Sequence, residues 1–366
     1  MVKLALQALV QRGSDTDMKV IDVVAAPIRL AQLATGAKSF EHPLIGSRRL
    51  NRMGLHRRRV ELAARMADRR RAWLAGRIDG EMREQYAQKG FVRVENFLPA
   101  DVFDTVLREV ETGAFQRYDM VQGRTVTRRA LIDDRDLADK PGLRSARDDH
   151  RMLDLIRYVG SHAGAPLRTL QVVMAAAPDE HGKRDPQTAL HSDTFQPTAK
   201  AWLFLYDVGP DDGPFMYVPG SHRVTAERMA WEEGIALDPR TAENRYALRG
   251  SLRVAQGDLA VLGYGEPVPM VVKANTLIVA DTHGFHARSP SPRATTRMEI
   301  YGSLRRNPFL PVPLPSPVSL PGVEGRTNRL VIDGLATLKR LGIRGSPWQD
   351  QGIGPATQWP AVLDER

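Results

Sequence analysis

Residues 276–303 read Thr276-Leu-Ile-Val-Ala280-Asp-Thr-His283-Gly-Phe-His286-Ala-Arg288-Ser-Pro-Ser-Pro-Arg293-Ala-Thr-Thr296-Arg297-Met-Glu-Ile-Tyr-Gly-Ser303. Two short strand-like runs, Thr276–Ala280 and Thr296–Ser303, are joined by a segment broken by Gly284, Pro290 and Pro292, with no helical pattern in it. A doubly wound parallel sheet needs a helix between successive strands, which this stretch does not offer. Six further runs repeat its texture: Thr169–Ala176, Ala201–Val208, Phe215–Val218, Ser251–Val254, Leu259–Leu262 and Met270–Val272. Helical patterns come first, with strand-like runs following at close spacing. The chain is therefore expected to be α+β, with a β-sandwich or jelly-roll core.

Upstream of the runs, Phe91–Phe97 alternates like a strand, Pro99-Ala100-Asp101 opens an amphipathic helix to about Thr112, and a second helix is expected over Asp148–His162. Downstream, Asn307–Pro321 carries six prolines, too many missing donors for a central strand, and a last helix is expected over Arg329–Leu341. Three segments result: a basic helical extension (1–83), a catalytic unit (84–306) and a Pro-rich segment with helix and tail (307–366). In the extension, Leu62, Met66, Trp73 and Leu74 are spaced to share one helical face, while Arg58, Arg59, Arg65, Arg69, Arg70 and Arg71 crowd the others.

The 366 residues are 42% hydrophobic and 26% charged, the composition of a globular chain, and the absence of cysteine excludes disulfides, thiolate metal sites and a cysteine nucleophile. Any metal site must use N and O ligands. The net charge of +9 lies wholly at the N-terminal end, because residues 1–90 hold 18 basic and 9 acidic side chains while the remaining 34 of each sign cancel. The Arg-rich helix reads either as packed on the main unit or as a surface for anionic lipid or an anionic substrate. No aromatics interleave with it as a stacking platform would, which disfavours nucleic acid. Met1–Gln11 lacks a cleavage-site pattern and Met18–Lys38 is interrupted by Asp22, Pro27 and Arg29, so a cytoplasmic location is expected, with peripheral contact to an anionic membrane as an addition.

The chemistry is expected at Thr188-Ala-Leu-His191-Ser-Asp193-Thr194, where a His and an Asp two residues apart on extended backbone project to one face. A third ligand from His283-Gly-Phe-His286 would complete a 2-His-1-carboxylate triad, which leaves adjacent positions open and suits iron(II). Arg297 lies eleven residues beyond His286 on a strand otherwise rich in Met, Ile and Tyr, where a buried guanidinium needs an anionic partner. The distal carboxylate of 2-oxoglutarate is the natural one.

These motifs resemble the phytanoyl-CoA dioxygenase (PhyH) family of iron(II)/2-oxoglutarate-dependent oxygenases. The similarity covers about Glu84–Asn307 and includes Tyr86-Ala-Gln-Lys-Gly90-Phe91, His191-Ser-Asp193 and Asp211-Asp-Gly-Pro-Phe-Met-Tyr-Val-Pro219-Gly220-Ser221-His222. It implies a double-stranded β-helix (jelly roll), iron held by His191, Asp193 and His286, 2-oxoglutarate paired with Arg297, O₂ as oxidant and ascorbate as an auxiliary reductant. It also implies hydroxylation of a small molecule with release of succinate and CO₂; related halogenases replace the carboxylate ligand with a small residue, so Asp193 argues against halogenation. Many members have one His-Gly followed by Asn before the Arg, whereas two histidines stand here and no Asn follows. His286 is preferred because His283 would pair at ten residues with Arg293, which lies in the loop-like Ser289-Pro-Ser-Pro-Arg293.

His283 is then expected to be a hydrogen-bonded structural residue and His222 a turn residue capping nearby backbone. Thr188, Gln187, Trp202 and Arg288 flank the metal segments as candidates to line the pocket. His42, His56, His150, His162 and His181 have no partner ligand at short spacing and are given no role. Two other classes of function stay open: a metal-free jelly-roll binding protein, and a membrane-peripheral scaffold built on the basic helices.

Overall fold

The computed structural model describes residues 26–177, 185–240, 245–315, 319–320, 322–342 and 345–364; Met1–Gln11, His181 and part of the Pro-rich stretch lie outside them. In chain order the main elements are α1 (Leu55–Leu74), α2 (Gly80–Lys89), β1 (Phe91–Val94), α3 (Ala100–Thr112), β2 (Ala114–Gln122), β3 (Thr125–Leu131), α4 (Pro141–Asp148), α5 (His150–Val159), β4 (Leu167–Ala175), β5 (Ala199–Phe204), β6 (Phe215–Tyr217), α6 (Ala226–Leu237), β7 (Val268–Pro269), β8 (Thr276–Asp281), β9 (His286–Arg288), β10 (Thr295–Leu304), α7 (Thr327–Arg340) and β11 (Gln349–Pro355). Eight strands form one sheet in the order β1-β8-β5-β10-β4-β3-β2-β11, and β7-β6-β9 form another. All pairings are antiparallel, so the chain is a mixed helix and antiparallel-sheet protein.

Period-two alternation divides the large sheet into two faces. Ala201 and Leu203 of β5, Leu277 and Val279 of β8, Met298 and Ile300 of β10, and Leu170, Val172 and Met174 of β4 join the main apolar core with Phe103, Val106 and Val110 of α3 and Met152, Leu155 and Ile156 of α5. The opposite face carries Lys200 and Trp202, Arg297, Glu299 and Tyr301, Gln171, and Thr127 and Arg129. A second core, with Trp202, Phe204, Phe215, Tyr217, Ile278 and Tyr301, fills part of the space between the sheets. The helix-covered face supplies stability and leaves the other face free for polar side chains.

Several expectations are corrected. Ser251–Val254 is no strand but a single bridge, Arg253 to His191, and Leu259–Leu262 forms turns after a short 3₁₀ segment, Gln256–Asp258. Both runs bury their leucines, so their apolar character reports burial rather than extended backbone. The helix expected over Asp148–His162 breaks at Asp149, whose carboxylate accepts from the Arg151 and Met152 amides and starts α5. The β2–β3 hairpin, absent from the sequence reading, turns through Gly123 at φ 61°.

Helix α1 forms as expected but presents another face. Trp73 is 66% exposed and Leu62 39%, while His56, Arg59, Val60, Ala63, Ala67, Arg70 and Leu74 face inward at helical spacing. Arg59 donates to the carbonyls of Leu33, Thr35 and Ala37. Arg70, 1% exposed, donates to the Ser161 carbonyl at 2.7 Å, the Ser161 hydroxyl and the carbonyls of Pro308 and Leu310. The arginine heads thus satisfy backbone carbonyls of distant segments. Arg70→Met is expected to lower stability by about 2–4 kcal/mol, because it removes the donor to the carbonyls of Ser161, Pro308 and Leu310. Urea unfolding followed by circular dichroism measures this, and a change below about 0.5 kcal/mol would refute it. No helix among the described residues is long and apolar enough to cross a membrane.

Candidate metal centre

The backbone itself joins the three expected ligands. His191 and His286 exchange two hydrogen bonds, N–H to O at 2.9 Å in each direction, and the Asp193 amide donates to the Thr282 carbonyl at 2.9 Å. The side chains of His191, Asp193 and His286 each offer an atom within 4.8 Å of the others. His191 Nε2 lies 3.7 Å from one Asp193 oxygen and His286 Nε2 lies 3.8 Å from the other.

Both Nδ1 atoms face backbone carbonyls, His191 at Ala189 (2.8 Å) and His286 at Gly284 (2.9 Å). This places the imidazole proton on Nδ1 and turns the Nε2 lone pairs toward Asp193. His286 Nε2 is buried and has no hydrogen-bond partner among the described residues. Burial, with a smaller contribution from the neighbouring cations, pushes His286 down to about 4, and burial together with His286 pushes His191 well below the usual imidazole range. Burial alone would raise Asp193, but Lys200 and the two imidazoles outweigh it and hold the carboxyl well below its ordinary value. Two neutral imidazoles and one carboxylate form an N,N,O set able to hold a divalent cation. Lys200 Nζ sits 2.6 Å from Asp193 Oδ2, and Lys38 donates to the Asp193 carbonyl.

A cavity of about 170 Å³ adjoins the triad, lined among others by Arg297, Arg288, Arg129, Lys200, Trp202 and Gln187. Arg297 already has protein partners: Nη1 donates to the Gly213 carbonyl and Nε stands 3.5 Å from buried Glu299. Glu299 in turn accepts from Gln171 at 2.5 Å, and burial raises its carboxyl against the lowering by Arg297. Arg288 is paired with Asp185 at 2.6 Å, and the Trp202 ring lies 4.4 Å from Phe215. Thr188 does not line the cavity; it sits in a 3₁₀ turn and its hydroxyl donates to the Asp185 carbonyl, leaving its neighbour Gln187 at the wall. Sequence reasoning missed Lys200, Arg129, Gln171 and Glu299, although the alternation of β3, β4, β5 and β10 puts them on the face of Trp202 and Arg297.

His283 lies elsewhere, in a separate cavity of about 720 Å³ that Tyr86, Arg71 and His222 also line. Neither of its ring nitrogens has a partner among the described residues, so the hydrogen-bonded role expected for it is not found. His222 does cap backbone, at Ala87, and packs on Tyr86 with ring centres 5.1 Å apart. It also dictates Gly90, since a Cβ there would come within 2.5 Å of His222 Nδ1 and the backbone holds φ 84°.

Burial and nearby arginines push both His162 and His283 down to about 3. Their folded values lie below the unfolded value near 6.5, so the neutral form belongs to the fold. Their contribution is complete above about pH 6.5 and drains as pH falls toward 3, at about 1.4 kcal/mol per pH unit for each. The urea midpoint should fall steadily from pH 7 to pH 5; a flat profile would contradict the burial of both as neutral rings.

The phytanoyl-CoA dioxygenase (PhyH) family profile matches residues 86–287, more than half of the chain. The chain belongs to the PhyH family. The PhyH match spans all three converging residues and stops ten residues short of Arg297. No curated protein matches this PhyH chain in sequence. Among solved structures it is similar to the non-heme α-ketoglutarate-dependent epimerase SnoN from nogalamycin biosynthesis (19% identity, TM-score 0.39, 61% of this chain and 81% of that one). It is also similar to the carbocyclase SnoK from nogalamycin biosynthesis (20%, 0.38, 64% and 85%) and to HygX from Streptomyces hygroscopicus with nickel and 2-oxoglutarate bound (15%, 0.39, 62% and 86%).

Proposed function

We propose that this chain is an iron(II)- and 2-oxoglutarate-dependent oxygenase, built on a double-stranded β-helix, that hydroxylates an unactivated C–H of a small molecule. The observation that carries this reading is the buried Nε2 of His286, without a hydrogen-bond partner among the described residues and turned with His191 Nε2 toward Asp193 inside a PhyH sequence. The donor set fits iron(II), with His191, Asp193 and His286 as its ligands. When bound, iron with O₂ supplies the oxidative decarboxylation of 2-oxoglutarate to succinate and CO₂, coupled to oxygen transfer. The chain's part is positional: the Ala189 and Gly284 carbonyls fix the imidazoles, Lys200 orients Asp193, and Arg297, anchored on Gly213, offers a cation to the distal carboxylate. Trp202 and Phe215 supply an apolar wall that limits water.

The test is an anaerobic titration with iron(II) and 2-oxoglutarate, followed by succinate assay in air. A weak visible charge-transfer band and iron-dependent succinate are expected; their absence would favour a metal-free binding protein or a scaffold. For the N-terminal extension, the exposed Arg58, Arg65, Arg69 and Trp73 on α1 favour contact with an anionic membrane as a second reading. Co-sedimentation with anionic liposomes should then weaken markedly from low to physiological salt and be lost in a chain starting near Arg83.

A further inference from the structure

We infer that Lys38, Arg253 and Arg305 form a recognition site for an oxyanion carried by the substrate, a carboxylate or a phosphate, held beside the metal ligands. This deepens the oxygenase reading and rests on it for the word substrate, though not for the site itself.

The geometry starts at Arg253. It lies directly opposite His191 in an antiparallel bridge, and His191 lies opposite His286 in the next. Cross-strand partners project to the same face, so Arg253, His191 and His286 stand in one row with neighbouring backbones about 4.8 Å apart. Arg253 uses Nη1 on Ser251, two residues away in its own chain, while its Nε is buried without a partner among the described residues. Its guanidinium rests over the Tyr246 ring at 4.8 Å.

Lys38 arrives from the other side. Its segment is strapped across this edge by Arg59, which donates to Leu33, Thr35 and Ala37, by Arg305, which donates to Gly36 at 3.0 Å, and by Asn307, which donates to Ala34 at 3.0 Å. The strap sets the Lys38 ammonium on the Asp193 carbonyl.

Charge decides the ligand class. Lys38, Lys200, Arg253 and Arg305 all act electrostatically on Asp193, whose carboxylate is already joined to Lys200 at 2.6 Å. Lys38, Arg253 and Arg305 have no carboxylate partner among the described residues. Asp193 is one carboxylate among four cations, so the site keeps an excess of positive charge, and an oxyanion offsets it while matching the planar fork of Arg253. The cosubstrate cavity cannot serve this need, because its own cations are Arg297, Arg288, Arg129 and Lys200, and none of the three lines it.

The experiment uses the full chain without iron or 2-oxoglutarate, so it stands whether or not the oxygenase reading survives its own titration. Inorganic phosphate and acetate are titrated separately by calorimetry at ionic strength held constant with chloride. Saturable binding of at least one is expected, and the tighter of the two names the oxyanion. Arg253→Ala should weaken it at least about tenfold, Arg253→Lys and Lys38→Gln by several-fold, and Arg293→Ala, exposed and paired with Asp212, should leave it unchanged. The two conservative variants keep the test decisive if Arg253→Ala fails to fold. Full binding in the Arg253 and Lys38 variants, or no binding of either anion by the wild type, would overturn the assignment.

Discussion

Asp193→Ala is expected to abolish 2-oxoglutarate turnover while the chain stays folded, and His191→Ala to do nearly the same. Either change removes one of three donors, and outer partners alone are worth about 10–100-fold in metal affinity, so losing a direct ligand should exceed about 100-fold. Asp193 carries more than its share. Its carboxylate is the negative group among Lys38, Lys200, Arg253 and Arg305, so its removal leaves an excess of positive charge that repels a divalent cation. His191→Ala removes a neutral donor and leaves the field as it was. Succinate release at saturating iron(II), with circular dichroism as the control for folding, measures both. His286→Ala should match His191→Ala, and His283→Ala, in the separate cavity, should retain turnover. Wild-type rates in Asp193→Ala would sink the triad.

The contrast between Asp193 and its neighbours shows what a sequence carries and what it withholds. His191 and Asp193 were legible because two residues on extended backbone share a face by local geometry alone. His286 was legible through a spacing, eleven residues to a strand arginine, that the structure realises as β9 followed by β10. Helix α3 was legible because Phe103, Val106 and Val110 repeat at helical period. What failed was the meaning of charge. Arg59 and Arg70 were placed on the outer faces of α1, yet they are buried because backbone carbonyls from segments about 20 to 240 residues away accept from them. Strands β2 and β3 escape a sequence reading because charged residues, Arg117 and Asp119 in β2 and Arg128 in β3, stand at buried positions and break the apolar alternation. The bridge from Arg253 to His191 and the contact of Lys38 with Asp193, 155 residues apart, are tertiary facts that no window of sequence contains.

Arg297→Ala is expected to raise the 2-oxoglutarate requirement steeply while sparing iron binding, and the structure makes this a sharper test than the sequence did. The sequence argument demanded an anionic partner for a strand guanidinium; the structure supplies a protein one in Glu299, 3.5 Å from Nε, with Gly213 holding Nη1. If Glu299 satisfied Arg297 fully, the cosubstrate would gain little. Burial, however, raises the Glu299 carboxyl, Gln171 holds its other oxygen, and neither Arg297 Nε nor Glu299 Oε2 has a hydrogen-bond partner among the described residues, so Glu299 orients the fork without saturating it. Losing one partner of a desolvated charge pair costs about 2–5 kcal/mol, which is roughly 30-fold or more in the cosubstrate concentration for half-maximal rate. Removing Arg297 also takes away the cation that lowers Glu299, so burial moves that carboxyl further up. Arg293→Ala, on the exposed side and paired with Asp212, should bind the cosubstrate normally. Normal cosubstrate affinity in Arg297→Ala with impairment in Arg293→Ala would instead move the cosubstrate to the loop and make His283 the better third ligand.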